Sequence, residues 1–80
     1  MTAWRPRVAE ALRAHGIEPA DDDSPESLRE RLNDAYLEEV RRLKKRQTAG
    51  EIPLRDYAGH VEALRDRFAL LGLPLAHWRE

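Results

Sequence analysis

The stretch SPESLRERLNDAYLEEVRRLKKRQ, residues 24–47, decides the fold. At its start, Asp23-Ser24-Pro25-Glu26 combines a side-chain oxygen that can accept from a free helix N–H, a proline suited to the first turn and an acid near the positive helix end. Leu28, Leu32, Ala35, Tyr36, Val40 and Leu43 follow at spacings of three and four, which puts them on one helix face. Gln47-Thr48-Ala49-Gly50 ends the run, because Gly50 can adopt the left-handed backbone that closes a helix without a Cβ clash. At about 1.5 Å per residue the helix is about 36 Å long, more than a domain of this size can wrap. A partner surface is therefore expected.

The chain has 80 residues, enough for one domain spanning 1–80. Folding at this size buries only about 60% of the unfolded surface, so disulfides, a metal or oligomerisation commonly supplement the core. Cysteine is absent, which removes disulfides, thiolate metal sites and thiol nucleophiles and fits a reducing cytoplasm. No run approaches a membrane span, and residues 1–10 carry Arg5, Arg7 and Glu10 without a hydrophobic signal region; a cytoplasmic protein that makes no membrane contact is expected. The net charge of −1 conceals a polarity: residues 1–40 hold five basic and ten acidic side chains, and residues 41–80 hold nine basic and five acidic. Such polarity can steer antiparallel or head-to-tail association.

Working outward, Thr2 to His15 reads as a short helix with Trp4, Val8, Ala11, Leu12 and His15 on one face and Gly16 as its stop. An extended Ile17–Ala20 connector follows, with Ile17 turned inward. Asp21-Asp22-Asp23 lacks the alternating ligands and turn glycine of a calcium loop, and is read as complementing the positive end of the long helix. Beyond Gly50, Ile52 is expected to fold back and Pro53 to open a third helix over about 53–71. There Leu54, Tyr57, Val61, Leu64, Phe68 and Leu71 alternate at three and four, the spacing of a knobs-into-holes seam. Leu73, Leu75 and Trp78 form an apolar tail that folds back on the bundle.

Val40-xx-Leu43, followed by Gly50-x-Ile52-xxxx-Tyr57-xxxxxx-Leu64, resembles the short helical hairpin of SHOCT-type domains over about residues 40–64. That resemblance implies a helix–turn–helix module that supports oligomerisation or nucleic-acid association.

The chemical alternatives find little support in the residues. His15, His60 and His77 are scattered without a second ligand at metal spacing, so no metal or other cofactor is expected. Asp56 and His60, four apart, read as helix support, and Ser24 and Ser27 as helix-start residues. No Gly-rich phosphate loop is present, and no convergent set of catalytic roles emerges.

The expected fold is all-α: an antiparallel helical hairpin, about 24–48 and 53–71, joined by a short N-terminal helix in a three-helix bundle. Leu37 lies about 130° from the centre of its stripe and Leu70 nearly opposite the third-helix seam at about 100° per residue. The expected function is a non-enzymatic protein–protein interaction or assembly module. Its partner is another protein or, preferentially, a second copy in a homodimer, with Tyr36, Leu37, Phe68 and Leu70 as interface residues. The alternative is a nucleic-acid-binding accessory protein that uses Arg41, Arg42, Lys44, Lys45 and Arg46; the competing reading of that run is that it complements the negative helix end.

Overall fold

The computed structural model describes residues 3–80. It is an all-α bundle of α1 (Pro6–Ala14), α2 (Pro25–Thr48) and α3 (Leu54–Arg67), followed by two 3-10 turns, Ala69–Gly72 and Leu75–His77. α2 starts as its sequence predicts: Ser24 Oγ accepts from the Ser27 backbone N–H at 3.1 Å and Pro25 occupies the first turn. Asp23 serves a different purpose from the one expected of the acidic run. Its Oδ2 accepts from Ala20 N–H at 2.9 Å and shapes the turn that feeds the helix.

α1 and α2 end in the same way. Ile17 N–H reaches Leu12 O at 2.9 Å and Gly16 N–H reaches Arg13 O at 2.9 Å; Glu51 N–H reaches Arg46 O at 2.9 Å and Gly50 N–H reaches Gln47 O at 3.1 Å. Each is the paired closure built around a left-handed residue, here Gly16 at φ 76° and Gly50 at φ 83°. The residues just beyond, Ile17 and Ile52, both turn inward and are buried.

Two expectations about helix ends are corrected. The first helix begins at Pro6 rather than Thr2, which lies outside the described residues, and Trp4 is not on its face. Trp4 instead pairs with Arg79 in an isolated antiparallel bridge, because Pro6 lacks the N–H that would extend the helix backwards. The third helix stops at Arg67 rather than Leu71: Phe68 leaves helical geometry at φ −109°, ψ 30°, and the chain tightens into a 3-10 turn. The tighter winding swings Leu70 back, so it is half-buried against the core instead of facing outward.

Most of the core gathers at one end, and Leu43, Ile52 and Leu64 continue it along the hairpin. Val8, Ala9 and Leu12 of α1, Ile17, Leu28 and Leu32 at the start of α2, Phe68 at the end of α3 and Trp78 from the tail are buried at that end. Trp78 has no exposed surface, and its indole N–H donates to Leu73 O at 3.1 Å. Trp4 donates its indole N–H to Ala20 O at 3.0 Å, while the Arg79 guanidinium lies 3.8 Å from its ring centre and donates to Asp21 O and Asp23 O at 3.1 and 2.6 Å. His15 stacks on Phe68 with centroids 4.0 Å apart and donates from Nε2 to Arg67 O at 2.8 Å. α1 has 9 residues against 24 in α2, so it cannot run the length of the hairpin. The molecule measures 49 × 16 × 16 Å, and the half of it towards the Gly50 turn is built from α2 and α3 alone.

Two stability measurements follow. Trp78→Ala removes a fully buried ring that joins tail to bundle, and a denaturant melt is expected to lose about 3–5 kcal/mol. Gly50→Ala meets open space around the new Cβ, so its expected loss of about 1–2 kcal/mol is wholly backbone strain at positive φ.

Candidate functional site

The two-helix half of the hairpin presents two unlike flanks. On one, Tyr36 and Val40 of α2 face Tyr57 and Val61 of α3, all half-buried because no third helix covers them. Tyr36 meets Phe68 edge-on at 5.3 Å, and Lys44 Nζ sits 5.6 Å from the Tyr57 ring centre. Leu54 belongs angularly to the same side of α3 but is 73% exposed, a correction to its expected place in the seam. Ile52, beyond the Gly50 turn, is buried, and α2 ends at Thr48, which leaves Leu54 in the first turn of α3 exposed.

The opposite flank is cationic. A cleft of about 270 Å³ opens between the helices over Leu43 and Leu64, rimmed by Arg42, Arg46, His60, Arg67 and Glu39. Glu39 carries the acid of the rim and pairs with Arg42 at 3.1 Å. The rim is therefore basic but partly neutralised.

The interface residues expected from sequence separate into three environments. Leu37 is 41% exposed on the outer face of α2. Tyr36 and Leu70 are half-buried against the core, and Phe68, at 4% exposure, is a core residue that Tyr36 meets edge-on and that lines a shallow pocket beside it. The basic run is likewise dispersed. Arg41 pairs with Glu38 at 3.5 Å, Arg42 with Glu38 at 3.8 Å, and Lys44 donates to Gln47 Oε1 at 3.3 Å. Of the five cations only Arg42 and Arg46, four apart, line the cleft, and the other two basic rim residues come from α3. His60 and Arg67 were missed in sequence because they lie well away from the basic run. Folding α2 and α3 about Gly50 and counting back along each helix would have brought the two pairs opposite one another.

Among the described residues no three His, Asp or Glu side chains gather as metal ligands would. His15 is engaged with Arg67 and Phe68, His60 lies on the cleft, and His77 ends the second 3-10 turn. Also among the described residues, no helix is long and apolar enough to cross a membrane. The chain matches no protein-family model, no curated protein and no solved structure.

Proposed function

We propose that this chain is a non-enzymatic assembly module that pairs with a second copy of itself through the exposed side of the α2–α3 hairpin. The observation that carries the reading is where apolar surface remains. Among the described residues the exposed large hydrophobics are Leu37 and Leu54, and both lie on this hairpin. A lone exposed leucine is ordinary in a folded domain. Here two accompany half-buried Tyr36, Val40, Tyr57 and Val61 on helices whose outer half lacks a third layer. Covering one leucine is worth at most about 1.5–3 kcal/mol, so the association is of modest strength and depends on several such contacts.

Light scattering over a concentration series is expected to show the mass rising from one chain to two. Leu37→Asp is expected to return it to one chain with the helical circular dichroism unchanged. A single-chain mass up to about 1 mM, where an association worth only about 4 kcal/mol would register, would sink the reading.

The cationic cleft supports a second reading, nucleic-acid binding, with Arg42 and Arg46 joined by Arg67 rather than by the remainder of the basic run. Three phosphate contacts give log affinity against log salt a slope of about −3 on duplex DNA. Titration of a fluorescent duplex that shows no binding at about 50 mM salt, or binding indifferent to salt, removes this reading.

A further inference from the structure

The outer face of α2, turned away from buried Leu28, Leu32 and Leu43, carries a pattern that the cleft does not use; it touches α3 at Lys44, whose Nζ lies 5.6 Å from the Tyr57 ring centre. Glu30, Asn33, Leu37, Arg41 and Lys44 succeed one another at steps of three, four, four and three. At about 100° per residue they fall within about 80° of arc, forming one stripe along the helix. All five are exposed. The steps read identically in both directions from Leu37, which sits at the middle of the 24-residue helix. The charges do not: the stripe is acidic on the amino-terminal side of Leu37 and basic on the carboxyl-terminal side.

A stripe with symmetric spacing and antisymmetric charge complements its own reverse. We propose that the partner is a second copy docked antiparallel along this stripe, with the two-fold axis passing at Leu37. The inference rests on the self-association proposed above and narrows its surface to the Leu37 stripe of α2, leaving Leu54 and the α3 side outside the contact. Leu37 of one copy meets Leu37 of the other, and Glu30 meets Lys44 twice, once on each side of the axis. Asn33 faces Arg41, and one turn further out Glu26 lies opposite Thr48 and next to Lys45. An isologous contact requires this kind of self-complementarity, and flanking charges on paired helices commonly set their orientation. A parallel pairing would instead bring Glu30 against Glu30 and Lys44 against Lys44, which like charges oppose.

The single chain leaves this stripe electrostatically unbalanced. Glu26 and Glu30 repel at a spacing of four, as do Arg41 and Lys45, each pair costing about 0.2–0.5 kcal/mol. Arg41 gains partial relief from Glu38 at 3.5 Å and Lys44 from Gln47 at 3.3 Å and the face of Tyr57, whereas Glu26 and Glu30 have Arg29 as a sequence neighbour engaged with Leu71 O at 3.4 Å. The opposing copy supplies the missing cations.

The chain contains no cysteine, so a single introduced thiol can link only two copies. Leu37→Cys treated with a short bismaleimide is expected to give a covalent dimer, and Leu54→Cys to remain a single chain. Glu30→Lys and Lys44→Glu, each counted twice across the axis, are each expected to weaken dimerisation about tenfold or more, and the double reversal Glu30→Lys with Lys44→Glu to restore it. Restoration separates the register from any effect on the helix itself. Dimer-sized mass with no Leu37→Cys link and no response to the reversals overturns this register while leaving self-association standing. A single-chain mass at every concentration overturns both.

Discussion

A 24-residue helix in an 80-residue chain cannot be covered along its whole length, and the rest of the structure is arranged around that shortage. The chain spends its remaining apolar residues at one end. α1, the connector and the tail converge on Leu28, Leu32 and Phe68, where Trp78 closes the core, and the other end of α2 receives only α3. The result is a rod with a well-buried base and a sparsely covered arm, rather than a uniformly packed bundle.

The shortage explains what sequence reading captured. The helices, their order and the hairpin turn were legible because they depend on local signals: Ser24 and Pro25 at one start, Gly16 and Gly50 at two stops, and the three–four spacing of apolar residues. The places of Leu54 and Leu70 were not. Both assignments assumed that a periodic pattern continues as one regular helix against one continuous neighbour. Leu54 lies past the point where α2 has ended, and Leu70 lies past the point where Phe68, held by His15 and Tyr36, has left helical geometry. Arg79 shows a further limit. Its contact with Trp4 and its hydrogen bonds to Asp21 and Asp23 join residues more than fifty positions apart, and no spacing rule announces them.

The candidate surfaces were legible to a lesser degree for the same reason. Leu37 could be singled out because an exposed helix position is a property of one helix. The cleft was overlooked because Arg42 and Arg46 acquire His60 and Arg67 through the antiparallel register of α2 and α3, which has to be counted across the Gly50 turn and is not a property of either helix. Helical winding also divides the compact basic run among unlike surroundings: Lys44 lies over an aromatic ring, Arg41 and Arg42 pair with Glu38, and Arg42 and Arg46 border the cleft. A block of charge in sequence is thus a poor guide to a block of charge in space.

The bridge between Trp4 and Arg79 also draws the first and last described residues together. Glu80 N–H donates to Ala3 O at 3.0 Å and Arg5 N–H to Trp78 O at 3.1 Å, so the two ends lie side by side at the buried base. A unit whose ends meet can be spliced into a surface loop of a host protein, or have those ends joined and the chain reopened at the Gly50 turn as a circular permutant, with little strain on its surroundings. Spliced into a host, the arm would project as a spur from its attachment point, with both flanks accessible along its length.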